Sequence, residues 1–241
     1  MAEPDSLRWR LKGVVAERLT RLNYAQRRKL AALSCTPDLM APLGLQSSEI
    51  HHTRMLRWLL DPADHPALGR APLEAFLLAL RSKSRGTGKG SLIDALGREQ
   101  PRSVIAEKVL PDGRRVDLAI EYPNGWLLVE NKIDSTEHDQ QLSAYQHFLD
   151  TSGKNQCILV YLTKAGEPKP DVDGCVHLEW AELLNHMLPV AIGGESAEHR
   201  YMVQYLASVA RHVVEIAGAG PFDSWSIGKQ HEVLDLIEGR P

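Results

Sequence analysis

The chain has 241 residues, 43% of them apolar and 24% charged, which is enough to bury a sizeable core. Its formal net charge of −3 argues against a protein that coats nucleic acid by bulk basicity, and three cysteines (Cys35, Cys157, Cys175) without a CxxC pair argue against a disulfide framework or a zinc knuckle. No apolar run approaches the roughly 18 residues of a membrane span, and the amino-terminal segment lacks the apolar core and cleavage site of a signal peptide, so a reducing cytoplasm is the expected setting.

In chain order, Leu7, Leu11, Val14, Val15, Leu19 and Leu22 recur at three-to-four spacing and predict an amphipathic helix over residues 7 to 33 with a break near Asn23. Pro37 and Pro42 interrupt. Ser47 or Ser48 then caps a second helix, EIHHTRMLRWLLD, which stops at Asp61-Pro62, and PLEAFLLALRSK follows as a third. SKSRGTGKG reads as a loop; its GK pair lacks the spacing and the preceding strand of a phosphate-binding loop.

After Pro101 the pattern changes to period two. SVIAEKVL, RRVDLAIEY and WLLVENKI, separated by the turn signals PDG and PNG, predict a three-strand antiparallel meander. A helix over 136 to 149 follows, with Asp134, Ser135 or Thr136 as its cap and Gly153 to end it. NQCILVYLT is a buried strand and CVHLEW a candidate fifth. A helix between the third and fourth strands permits a crossover, so the expected class is α/β (α+β) with a mixed four- to five-stranded sheet and an αβββαβ core. The remainder is helical, notably YMVQYLASVARHVVEIA. The expected organisation is one domain over 1–241: helical over 1–100, the αβ core over 101–180, and helical over 181–241.

Alternation sets Asp117 and Glu121 against Val116, Leu118 and Ile120 on the second strand. On the third, it sets Glu130 and Lys132 against Leu127, Val129 and Ile133. The short PNG connection makes these strands hairpin neighbours, which brings Asp117 towards Glu130 across the ladder. Two adjacent carboxylates repel, and their burial is costly unless a cation neutralises them. A hard divalent ion does this with oxygen ligands, while an adjacent ammonium orients water and stabilises charge building on a phosphate. The ordinary alternative is a solvent-facing Glu130–Lys132 pair and a strand-edge Asp117.

VDLAIEY, a turn, and LLVENKI together resemble the D…ExK element of the PD-(D/E)xK nucleases, the superfamily of many restriction endonucleases and of RecB-like and lambda-type exonucleases. Gln141-Leu142-Ser143-Ala144-Tyr145 on the following helix is similar to the QxxxY element of the RecB-like branch, with Gln141 and Tyr145 one turn apart. SEIHHTRMLRWLLDP with HPALGRAPLEAFL resembles the amino-terminal signature of an uncharacterised branch whose early helix adds an acidic residue to the metal centre. That resemblance implies a restriction-endonuclease-like fold with Asp117, Glu130 and Lys132 at its centre and Glu49 as a fourth site residue. Glu49 at its helix start has a capping role as the alternative. Val116 stands where the family's name-giving proline would be; Asp112, in its PDG turn, and Glu107 and Glu121 are lesser rivals.

Ten histidines form no HExxH, and no GxSxG is present. The expected function is therefore Mg²⁺- or Mn²⁺-dependent phosphodiester hydrolysis in nucleic acid, with DNA the expected partner. Asp117, Glu130, the Asn131 carbonyl and Glu49 would hold the metal, Lys132 would position the nucleophile, and Gln141 and Tyr145 would shape the centre or contact the scissile strand. A homodimer is compatible with cutting both strands of a duplex. The rival reading keeps the same fold as a catalytically inactive module that binds nucleic acid or protein.

Overall fold

The period-two stretch folds as its turns dictate in the computed structural model, which describes residues 4–85, 88–134 and 139–239. β1 (Ser103–Val109), β2 (Arg115–Glu121) and β3 (Gly125–Asn131) form an antiparallel meander. The PDG turn sets Gly113 at φ +84, a left-handed conformation that glycine adopts without steric cost. Asp112 accepts the Arg114 amide at 3.0 Å and sits in that turn as a turn residue should. α6 (Asp139–Thr151) then crosses over, so β4 (Gln156–Thr163) lies parallel to β3, and β5 (Cys175–Glu179) lies parallel to β4. The sheet is five-stranded, in the order β1-β2-β3-β4-β5. Mixed pairing follows from the crossover: a connection that carries a helix can bring the chain back to start the next strand at the same end.

The described chain divides into two compact units, Ser47–Val190 and a second made of Met1–Gln46 with Ala191–Pro241. The first unit carries the sheet. α3 (Glu49–Leu60) lies against β1 and β2, α4 (Ala71–Lys83) against β5, and α5 (Gly90–Leu96) against β4, while α6 covers β3 and β4. Leu142, Tyr145 and Leu149 of α6 pack on Ala119, Leu128 and Leu159 of the strands. Every residue of β3 is buried, the pattern of a central strand covered on both faces rather than of a half-wet one. α7 (Trp180–Ala191) closes the unit.

In the second unit the expected long first helix is two, α1 (Pro4–Arg21) and α2 (Tyr24–Cys35). The break at Asn23 has a local cause: its side chain accepts the Gln26 amide at 2.9 Å while Gln26 reaches back to the Asn23 amide at 3.0 Å, a capping box that starts a new helix. α8 (Ala197–His212) is shorter than YMVQYLASVARHVVEIA predicts at its carboxyl end, and α9 (Ile227–Glu238) follows. Asp38 gathers the Ala41 amide, the Ser208 hydroxyl and the His212 ring, which hold its carboxyl down at about 2 against the opposing effect of its own burial. α5 is a further difference, since the loop reading of SKSRGTGKG leaves this short helix, beginning at Gly90, unassigned; residues 86 and 87 lie outside the described residues. Arg81 and Lys83 in the last turn of α4 are paired with Asp94 and Glu182.

Gly125 opens β3 where nothing larger fits. A Cβ there would meet the Gln156 carbonyl oxygen at 2.1 Å and Leu96 Cδ2 at 2.8 Å. Because the first of these is main chain of the parallel neighbour, Gly125→Ala should cost about 3 kcal/mol, the upper end for overpacking, a loss that urea unfolding would read directly.

Candidate active site

Register brings the carboxylates together. Leu118 pairs with Val129, and continuing that antiparallel register by one residue sets Asp117 opposite Glu130, on one face of the sheet. The same row runs on through Glu130 to Tyr161 and from Tyr161 to His177. This is the face that α6 covers, so the pair is withdrawn from water: Glu130 is 1% exposed and Lys132, whose Nζ lies 2.6 Å from Glu130 Oε1, has a side chain 14% exposed. The solvent-facing alternative for these two residues therefore does not hold. The ammonium is at ion-pair distance, and it and the Tyr145 hydroxyl both favour the charged carboxylate, yet neither buried Glu130 oxygen has a partner in good hydrogen-bond geometry among the described residues.

Burial and the neighbouring Asp117 charge together push the Glu130 carboxyl up to about 7, against the pull of Lys132. Asp117 is raised as well, chiefly by burial, although the Asn131 amide donates to its Oδ2 at 2.8 Å and Lys132 acts to lower it. Burial acts to lower the Lys132 pKa, but Glu130, Asp117 and Glu49 outweigh that effect and raise it above the ordinary lysine value. The centre is thus an excess of buried negative charge around one firmly protonated amine.

Glu49 reaches the end of β3 from the first turn of α3. Its Oε1 accepts the Ile133 amide at 2.7 Å and the Asp134 amide at 3.3 Å. Ser48 occupies the cap position of that helix, and its hydroxyl pairs with the His51 ring instead of a main-chain amide. Asn131 completes the junction from the opposite face: its Nδ2 donates to the Glu49 carbonyl and to Thr53 Oγ1, each at 3.2 Å, and its Oδ1 accepts from Trp180 Nε1 at 3.1 Å. Those side-chain roles of Asn131, Thr53 and Trp180 escape sequence reasoning. One signal was available, since Asn131 continues the apolar stripe of Leu127 and Val129, and a polar group on a buried stripe needs partners.

Gln141 and Tyr145 do share a helical face, and Gln141 Nε2 donates to the Tyr145 hydroxyl at 2.6 Å. That hydroxyl in turn donates to the Arg115 carbonyl at 2.5 Å, tying α6 to the strand that carries Asp117. The glutamine and tyrosine thereby fix β2 in place beside Glu130. Ser135 and Thr136, two of the residues expected to cap α6, lie outside the described residues.

A profile of the PD-(D/E)XK nuclease superfamily matches residues 38–217. The chain belongs to that superfamily. No curated protein and no solved structure matches it. A five-stranded mixed sheet with the αβββαβ order is the fold expected of a PD-(D/E)XK member, and membership points to nuclease chemistry, for which divalent metal ions are typical. Among the described residues no group of three or more His, Cys, Asp or Glu side chains is drawn together closely enough to hold a metal ion. The donor set nevertheless suits a hard cation of the magnesium kind, which takes oxygen ligands and commonly only one or two carboxylates. Glu130 presents two buried oxygens without hydrogen bonds, and Asp117 stands opposite it. Among the described residues no helix is long and apolar enough to cross a membrane.

Proposed function

We propose that the chain is a divalent-metal-dependent nuclease that hydrolyses phosphodiester bonds in DNA. The observation that carries this reading is a carboxylate 1% exposed, without hydrogen bonds, facing a second carboxylate and touching an ammonium that the site keeps protonated. A carboxylate so deeply buried and so poorly satisfied by its neighbours is suited to binding a cation. Asp117, Glu130 and the Asn131 carbonyl would hold Mg²⁺ or Mn²⁺, with Glu49 close by to bind it directly or through water. The cation would supply Lewis-acid stabilisation of the charge that builds on the phosphate.

The protein's own groups account for the rest. Lys132, with its Nζ 2.6 Å from Glu130 Oε1, would orient the attacking water and stabilise the phosphoryl oxygens. α6 covers the site, and the low-dielectric surroundings strengthen both effects. Gln141 and Tyr145 hold β2 so that Asp117 stays opposite Glu130.

Incubation with linear, circular and single-stranded DNA, with Mg²⁺ or Mn²⁺ and with chelator, tests the reading. Cleavage is expected with either ion and none with chelator. If no substrate is cut and calorimetry finds no binding of either ion, the reading fails in favour of a binding module on the same fold.

A further inference from the structure

Glu107 breaks the geometry of its strand. Ala106 pairs with Leu118 and Lys108 with Val116, but Glu107 between them, opposite Asp117, takes no part in the ladder, and its φ is +54. A non-glycine residue in the left-handed region is costly, and such positions persist where the surroundings hold them, often at functional sites. Extended backbone at Glu107 would turn a further carboxylate to the same face as Asp117, where like charges repel. Instead the Glu107 carboxylate takes one guanidinium on each oxygen: Oε2 accepts from Arg54 Nη2 at 3.0 Å, and Oε1 lies 3.1 Å from Arg115 Nη1.

Arg54 is the neighbour of Thr53 on α3, the residue whose hydroxyl receives Asn131 Nδ2. Arg115 begins β2 two residues before Asp117, on which its charge acts, and its carbonyl is the group that Tyr145 holds. Both guanidiniums stand at the edge of the carboxylate centre, with side chains 56% and 63% exposed. Each carries five N–H donors in a planar fork that matches phosphate, and Glu107 engages only part of each fork.

We propose that Arg54 and Arg115, set as a pair by Glu107, bind the backbone phosphates of the nucleic-acid strand that flank the bond cut at Asp117 and Glu130. This rests on the nuclease reading and deepens it, because a chain of net charge −3 needs a local cationic contact to bring a polyanion to a cluster of carboxylates. Arg54 and Arg115 are binding residues, and Glu107 is a positioning residue.

The test is fluorescence anisotropy of a short labelled DNA duplex titrated with the full chain in chelator over a series of salt concentrations, beside a cleavage assay with Mg²⁺. Arg54→Ala/Arg115→Ala should weaken binding on the order of tenfold or more and lower the slope of log K against log salt by about 2, one for each lost phosphate contact. Arg85→Ala/Lys169→Ala removes equal charge elsewhere and should reduce both less. Glu107→Gln separates positioning from bulk charge. It makes the chain more positive, so simple attraction would tighten binding, whereas a lost clamp loosens it. Thermal melting identifies a variant that has failed to fold, and Arg54→Lys/Arg115→Lys, which keeps the charge but loses the fork, should recover only part of the affinity. Parent-like affinity and slope in the Arg54/Arg115 alanine protein, or tighter binding by Glu107→Gln, overturn the proposal while the parent still cuts DNA. If the parent itself neither binds nor cuts, the nuclease reading falls and the clamp with it.

Discussion

Glu130→Gln should lose cleavage by roughly a thousandfold or more and, in the same protein at pH 8 with chelator, melt at a higher temperature than the parent. The two outcomes have one cause. Glu130 is buried to 1% exposure beside Asp117, with Lys132 in contact but no hydrogen bond to either oxygen. Its charge is therefore costly to the fold, and an isosteric amide removes that cost while leaving Lys132 near Asp117 for balance. The same substitution withdraws the anionic oxygens on which the proposed chemistry depends. A gain in stability with a loss of activity is the signature of a site held under electrostatic strain for function. Asp117→Asn keeps an acceptor for the Asn131 amide and should lose activity with the fold intact, as should Lys132→Ala. Lys132→Arg should not rescue, because a planar fork cannot take the place of a compact ammonium 2.6 Å from a buried carboxylate. Steady-state cleavage alongside calorimetric melting reads both quantities. Retention of even a tenth of the parent rate in the Glu130→Gln protein would remove Glu130 from the chemistry.

The second large effect is on stability as a function of pH. The Glu130 carboxyl sits at about 7 in the folded chain against an ordinary value of 4.5, so the folded state binds the proton more tightly than the unfolded one. Stability from this group is complete below pH 4.5 and is lost as pH rises through 7, by roughly 3 kcal/mol in total. Asp117, raised in the same direction by burial, adds to that fall. Two other groups work with the opposite sign. His177 is lowered, first by burial, so its contribution is lost as pH falls below its ordinary value, and Asp38, held at about 2, loses its contribution only in stronger acid. Comparison with Glu130→Gln isolates the Glu130 effect: urea unfolding in chelator between pH 5 and 8 should show the parent losing more stability with rising pH than the variant. Adding Mg²⁺ or Mn²⁺ should flatten the parent's decline, since an ion at a hundred times its dissociation constant stabilises the folded state by about 2.7 kcal/mol. Parallel curves for parent and variant in chelator would mean that Glu130 is not the strained group.

Much of the frame was legible in the residues. The PDG and PNG turns, the alternation in RVDLAIE and the continuous apolar run of WLLVEN fixed three strands and their pairing within a residue or so. These signals are local, set by backbone conformations that glycine and asparagine favour and by a side-chain period of two. The Asn23 break was visible for the same reason, as a capping box is complete within four residues. The juxtaposition of Asp117 with Glu130 followed from the hairpin, since strand register propagates from the turn.

Other features depend on groups that meet only when the chain is folded. No pattern within β3 says that its Glu130 face is roofed by α6, and without that roof the carboxylate would keep its ordinary acidity. Likewise the Glu49 carboxylate meets the Ile133 and Asp134 amides, and Asn131 meets Thr53 and Trp180, across separations of 49 to 85 residues. The left-handed backbone at Glu107, inside β1, is of the same kind: its carboxylate meets two arginines from different elements, in a conformation that its own sequence neighbourhood disfavours. Local propensities chose the strands and their register, because those are decided over a few residues. Burial and long-range ion pairing decided the charge state of the site, because desolvation is a property of the packed fold.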